Sequence, residues 1–85
     1  ALNVRFMLPQ GIGRIDCWLF DARGRVVWIH QQRSGLRRGA NTVTWDGRAD
    51  NGAEAANGAY LLRIVAFGAD GDVAATREQP VIHAR

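Results

Sequence analysis

The side chains that could act as nucleophile, base or metal ligand are few, and their spacing does not suit catalysis. One serine, Ser34, and two histidines, His30 and His83, occur in 85 residues. No nucleophile, base and orienting acid stand at a spacing known from hydrolases, and neither histidine has a partner at metal-ligand spacing. Asp70 and Asp72 fall in a turn, where carboxylates are ordinarily solvated. We therefore expect no enzymatic activity.

Two tryptophans, Trp18 and Trp28, are the residues best suited to contact a partner. They flank a polar turn in the segment CWLFDARGRVVWIH, Cys17 to His30. Asp21 favours the first position of a type I turn, and Gly24 supplies the left-handed conformation of a three-residue hairpin loop. Because the sum of paired residue numbers is constant in a regular antiparallel ladder, this turn predicts that Trp18 lies opposite Trp28.

The predicted register divides the hairpin into two faces. One face is aliphatic or small and is the expected core face: Ile15, Cys17, Leu19, Val27 and Ile29. The other face is expected to point outward: Asp16, Trp18, Phe20, Val26, Trp28 and His30. Neighbouring indole rings form a flat platform on which sugars stack, and Asp16, His30 and Arg14 are the candidate partners for sugar hydroxyls.

Three roles for the tryptophan pair stay open. The pair could bind a polysaccharide, or it could contact a neighbouring protein domain or subunit, since exposed aromatic patches mark partners without naming them. Alternatively, it could be a structural minicore, half-buried beneath the arginine-rich loop from Gln31 to Gly39.

The whole sequence predicts an all-β sandwich of about six or seven short strands, because apolar residues alternate with period two between glycine-rich turns. The expected strands are Leu2 to Leu8, Arg14 to Phe20, Arg25 to Gln31, Asn41 to Trp45, and the segments AYLLRIVAF and DVAATREQPVIHA. Asp46 to Gly58 is expected to be an irregular loop. Pro80 confines the last segment to a sheet edge or to a break between two strands.

Composition narrows the class of protein. A chain of 85 residues is expected to form a single domain, residues 1–85, with a thin core. The net charge of +3 comes from eleven arginines that are mostly scattered singly, which does not favour nucleic-acid binding. No apolar run is long enough for membrane insertion. The single cysteine, Cys17, is expected to be a buried thiol. The start, ALNVRFMLPQ, lacks signal-peptide features, and we expect a domain excised from a longer protein.

The segment GANTVTWDGRADNGAEAANGAYLLRI, 39–64, resembles the immunoglobulin-like domain named after the flagellar hook-capping protein FlgD. The residues that carry the resemblance are Gly39, Asn41, Trp45, Asp46, Gly47, Gly52, Gly58 and Tyr60. Upstream, NVRFMLP and IDCWLFDARGRVV are similar to the opening strand and hairpin of that family, with Leu19, Phe20, Asp21 and Gly24 in the hairpin positions. The positions of Trp18 and Trp28 usually carry polar or basic residues in the family.

The resemblance implies a small immunoglobulin-like antiparallel β-sandwich that serves as a non-catalytic accessory module. It also implies an extracellular or cell-surface location, since such domains are appended to secreted bacterial enzymes and surface proteins. The alternatives are a structural, secretion or anchoring domain at a carboxyl terminus, or the corresponding domain of a hook-capping protein.

The motif around Trp45 has two interpretations, one as a structural element and one as a calcium site. In the first, Trp45 plugs the end of the sandwich, and Asp46 accepts hydrogen bonds from loop amides in a turn that Gly47 completes. In the second, calcium binds to four oxygen-bearing side chains, although their spacing differs from that of an EF-hand loop. Those side chains are Asp46, Asp50, Asn51 and Glu54. We expect the structural role and no cofactor.

Overall fold

The computed structural model describes all 85 residues and contains six antiparallel β-strands and no helix. The strands are β1 (Leu2–Leu8), β2 (Ile12–Phe20), β3 (Val26–Gln32), β4 (Gly39–Trp45), β5 (Gly58–Gly68) and β6 (Val73–His83). β1 agrees with the predicted bounds, and the other strands differ from them by one or two residues at an end. No helix exists that is long and apolar enough to cross a membrane.

The strands form two sheets of unequal width. β1 pairs with β4 in a two-stranded sheet, and the other strands form a four-stranded sheet in the order β3-β2-β5-β6. β6 is therefore an edge strand, which confirms the edge position expected from Pro80. The predicted class, a small immunoglobulin-like β-sandwich, is confirmed.

The core lies between the two sheets and is built from alternate residues of both. Its buried apolar residues are Val4, Phe6, Leu8, Ile15, Cys17, Leu19, Val43, Trp45, Ala55, Tyr60, Leu62, Ile64, Ala66 and Val81. The period-two pattern thus correctly placed Ile15, Cys17 and Leu19 of β2 in the core. Trp45 is 2% exposed, which confirms that it plugs one end of the sandwich.

The predicted register of the hairpin is correct at its first pair and wrong at every later pair. Phe20 pairs with Val26 as predicted, but Leu19 then pairs with Trp28 and the register is displaced by one residue. Val27 is the extra residue of this β-bulge. Because side chains alternate between faces, one inserted residue reverses the orientation of everything that follows it.

The reversal changes the predicted faces of β3. Trp28 and His30 lie on the inner face of the four-stranded sheet, because their partners on β2, Leu19 and Cys17, point into the core. Ile29, predicted to be in the core, is 49% exposed. Trp18 pairs with Ile29, so Trp18 and Trp28 are not cross-strand neighbours.

Candidate functional site

The turn between β2 and β3 fixes the start of the hairpin as the sequence predicts. The Asp21 amide donates to the Arg25 carbonyl, the Gly24 amide donates to the Asp21 carbonyl, and Gly24 has a φ of 80°. The Asp21 carboxylate accepts hydrogen bonds from the Arg25 amide and, in addition, from the Arg23 amide and the Arg25 side chain. These bonds lower the pKa of Asp21, with the Arg25 amide the largest cause.

The bulge at Val27 is held by the long loop between β4 and β5. The Asp50 amide donates to the Val27 carbonyl at 3.0 Å, and the Ile29 amide donates to the Asp50 carboxylate at 3.1 Å. Asp50 thereby supplies partners to the open edge of β3, where backbone groups would otherwise lack them. The same contacts stabilise the register that turns Trp28 inward.

Trp28 belongs to an aromatic cluster at one end of the sandwich. Its ring stacks on His30 with centroids 5.4 Å apart and lies 6.5 Å from the ring of Trp45. Trp45 in turn contacts Tyr60 and His83, at 5.4 Å and 4.8 Å. Trp28 is partly buried against the core, so the structural role proposed for the pair fits Trp28 alone.

The loop after Trp45 is folded around that side chain. The Trp45 indole donates to the Arg48 carbonyl at 2.8 Å, and the Arg48 amide donates to the Asp46 carboxylate, which confirms the expected turn. Gly47 has a φ of 86°, and a Cβ at this position would lie 2.9 Å from the His83 ring. Both the conformation and the close contact require glycine there.

The four oxygen-bearing side chains of the calcium hypothesis each have a partner within the chain. Asp46 and Asn51 accept bonds from amides two residues ahead of them, Asp50 bonds to Ile29, and Glu54 forms an ion pair with Arg85. No group of three or more acidic, histidine or cysteine side chains in the structure has the arrangement of a metal site. The loop oxygens instead hold the loop in place.

The opposite side of the four-stranded sheet presents an apolar surface, which we call the outer face. Its central residues alternate with the core residues of β2 and β5: Arg14, Asp16, Trp18, Phe20, Leu61, Arg63, Val65 and Phe67. More exposed apolar side chains flank it, with Ile29 on β3 at 49% and Ile82 on β6 at 68% exposed. The central apolar side chains of this face are half-buried, and the smaller sheet packs on the opposite side of the larger one.

Arginines lie directly on the aromatic rings of the outer face. The Arg14 guanidinium is 4.1 Å from the centre of the Phe67 ring, and that of Arg63 is 5.0 Å from the centre of the Phe20 ring. Arg63 is also the cross-strand partner of Trp18 and forms a 2.7 Å ion pair with Glu78. In each contact the guanidinium covers one face of the ring, so charged groups are part of this surface.

Asp16 is the buried polar residue of the outer face. It is 6% exposed, and its carboxylate lies 3.1 Å from the Arg14 guanidinium. The two facing atoms are buried and lack hydrogen-bond geometry, so the contact is an ion pair rather than a directed hydrogen bond. Arg14, Asp16 and Trp18 therefore share the outer face as predicted, whereas His30 lies on the inner side with Trp28.

The sequence analysis missed the half of the outer face that β5 contributes. Leu61, Val65 and Phe67 were not singled out, although the run AYLLRIVAF is apolar on both of its alternating faces. Such a run is typical of a strand with both faces covered. That pattern could have identified a second contact surface on β5.

A protein-family model described as the FlgD Ig-like domain matches residues 1–70. The chain belongs to the FlgD Ig-like domain family. The match includes the hairpin, the Trp45 motif and both central strands of the larger sheet, while β6 lies beyond it. A search of curated proteins and a search of solved structures found no match.

Proposed function

We propose that this FlgD Ig-like domain is a non-catalytic accessory module that docks on a neighbouring protein domain through the outer face. The observation that carries the proposal is the half-buried aromatic and aliphatic surface of β2 and β5 around Trp18, with exposed Ile29 and Ile82 at its margins. Contiguous exposed apolar patches on small domains mark contact surfaces. Aromatic and arginine side chains, as in Trp18, Phe67 and Arg63, are the types enriched in such contacts.

The ion pair of Arg14 and Asp16 gives this surface a means of selecting its partner. A partner that buries the face must supply donors and acceptors to the pair, because unpaired charges in an interface weaken binding strongly. The apolar rings supply affinity, and the charged groups set orientation.

Two settings suit such a module. One is an appendage of a longer secreted or surface protein, in which the domain would lie outside the cell. The other is the corresponding domain of a hook-capping protein, where the docking surface would be a neighbouring part of the same assembly. Both settings need a protein contact and no catalysis.

The docking proposal is tested by hydroxyl-radical footprinting of the domain alone and within the longer protein that carries it. Docking protects Trp18 and Phe67 from oxidation in the longer protein and leaves Met7, on the far side of the smaller sheet, equally reactive in both samples. Equal oxidation of Trp18 in the two samples would contradict the proposal.

Carbohydrate binding is the second candidate, and it now rests on Trp18 without Trp28. The observation that favours it is the position of one indole ring beside the charged side chains of Asp16 and Arg63, since sugars combine ring stacking with bonds to hydroxyls. Affinity electrophoresis in gels containing soluble polysaccharides tests it. Retardation that Trp18→Ala abolishes and Trp28→Phe preserves would support this candidate over docking on a protein.

A further inference from the structure

The two sheets leave one side of the sandwich open, next to β1. Strands in a sheet lie about 4.8 Å apart, so the two-stranded sheet is narrower than the four-stranded sheet by roughly 10 Å. On the β3 side, Trp28 and Leu36 pack against the core. On the β6 side, Arg77 and Gln79 occupy inner-face positions, opposite buried Ile64 and Leu62, yet both are exposed.

The strand that borders this opening is β1. Leu2 of β1 lines the same cleft as Ile82 and His83 of β6, whereas β4 lies on the other side of β1. β1 pairs with β4 along its whole length, from Leu2 to Leu8, without a bulge. Alternate backbone amides and carbonyls on its other edge therefore have no strand partner.

The edge of β1 lacks the features that block strand addition at the two edges of the larger sheet. The β3 edge is interrupted by the bulge and bonded by Asp50. The β6 edge carries Pro80 and charged side chains. β1 has no proline or bulge, and no loop backbone bonds to it. An unblocked edge strand of this kind accepts another strand readily.

Two unpaired arginines flank the open edge. Arg5 is exposed on the solvent side of β1, and Arg77 is exposed at an inner-face position of β6, where its guanidinium donates to the Thr76 carbonyl. Neither forms an ion pair with an acidic side chain of the chain. A strand added to β1 would place its alternate side chains toward these two positions. Carboxylates at those positions would be complementary in charge.

We propose that the free edge of β1 binds an extended acidic segment of another protein by strand addition, with Arg5 and Arg77 pairing with its carboxylates. Backbone hydrogen bonds to β1 would supply affinity, and the two arginines would supply the preference for acidic sequences. β1 belongs to the smaller sheet and the outer face to the larger one, so the proposal does not depend on the docking role.

The test uses the 85-residue chain and a synthetic peptide of about nine valine and glutamate residues, long enough to span β1. Two adjacent glutamates at its centre place one carboxylate on each face of the added strand. Two control peptides are needed. The first replaces glutamate with glutamine, and the second carries N-methyl groups on the alternate amides that would bond to β1. Binding is followed by NMR, through chemical shifts and amide exchange of the chain.

We expect the acidic peptide to protect alternate amides of β1 and the two control peptides to bind at least about tenfold more weakly. Arg5→Glu and Arg77→Glu should each lower the affinity for the acidic peptide by about tenfold. Arg23→Glu, at the distant hairpin turn, should change that affinity by less than about twofold.

Three results would overturn the proposal. Equal affinity of the N-methylated peptide would exclude strand addition, and equal effects of Arg23→Glu and Arg77→Glu would exclude a local charge contact. Protection of β1 by a second copy of the chain, seen as a dimer without peptide in sedimentation velocity, would assign the edge to self-association instead.

Discussion

Trp18 and Trp28 point to opposite sides of the four-stranded sheet, Trp18 to the outer face and Trp28 into the aromatic cluster around Trp45. The cause is the bulge at Val27, which displaces the pairing of β2 and β3 by one residue. The two indole rings therefore have different surroundings, because Trp18 lies on the outer face and Trp28 packs against the core.

This separation predicts unequal effects of truncating the two tryptophans. Trp28→Ala should lower the free energy of unfolding by about 3 kcal/mol, since it removes packing against Trp45 and the core. Trp18→Ala should lower it less, by about 1 kcal/mol, because its half-buried ring lies on the outer face and is not packed against the core. Urea denaturation followed by circular dichroism measures both. Equal losses would contradict the assignment of the two faces.

The contacts of Asp50 predict that a loop residue stabilises the hairpin register. Asp50→Ala removes the acceptor of the Ile29 amide and should cost about 1 kcal/mol, with faster hydrogen exchange at Ile29. Asp72→Ala is the matched control, because the Asp72 side chain forms no bond in its turn. The same stability and the same exchange rate at Ile29 in the two variants would contradict the prediction that Asp50 stabilises the register.

The sequence predicted the elements of this fold and not the register that decides the site. Alternation in β2 identified Ile15 and Cys17 as core, and turn chemistry at Asp21 identified the first hairpin pair, because these signals are local. The bulge depends on Asp50 bonding to Val27 and Ile29, which are distant in sequence. Rules that consider only residues close together in the sequence cannot predict that contact.

Only the part of the outer face that lies on β2 was predicted, for the same physical reason. Arg14, Asp16 and Trp18 alternate with core residues along one strand, so their shared orientation follows from the sequence alone. That β5 is the strand placed beside β2, with Arg63 next to Trp18, is a property of the sheet topology. Long-range strand order is not encoded in local patterns.

The lowered pKa of Asp21 predicts a contribution to acid stability. A carboxyl whose folded-state pKa lies below its unfolded value stabilises the fold at pH above the unfolded pKa, which is about 3.9 for Asp. That contribution is lost as pH falls through the lower folded-state pKa. Asp21→Asn should destabilise the domain at pH 7 and reduce the loss of stability on acidification. A stability profile between about pH 2 and pH 6 that is unchanged by the substitution would contradict this role.

Cys17 should be unreactive in the folded domain. Burial, and next the negative charge of Asp16, raises the pKa of its thiol to about 12, and the side chain is 0% exposed. Because the thiolate is the reactive form, iodoacetamide at about pH 8 should label the native chain very slowly and the urea-unfolded chain rapidly. Mass spectrometry after timed quenching measures the two rates. Comparable rates would show that the core at β2 is open to reagent.

The central claim, that the outer face docks on a neighbouring protein domain, is tested most directly by binding in trans. The 85-residue chain and the proposed neighbouring domain are prepared as separate polypeptides, and their affinity is measured by isothermal titration calorimetry. Trp18→Glu should weaken binding by about 100-fold, as expected for a charged group placed at the centre of an apolar contact. Met7→Glu, an equally drastic change at an exposed position of the smaller sheet, should leave the affinity unchanged. Equal affinities of wild type and Trp18→Glu would contradict the claim.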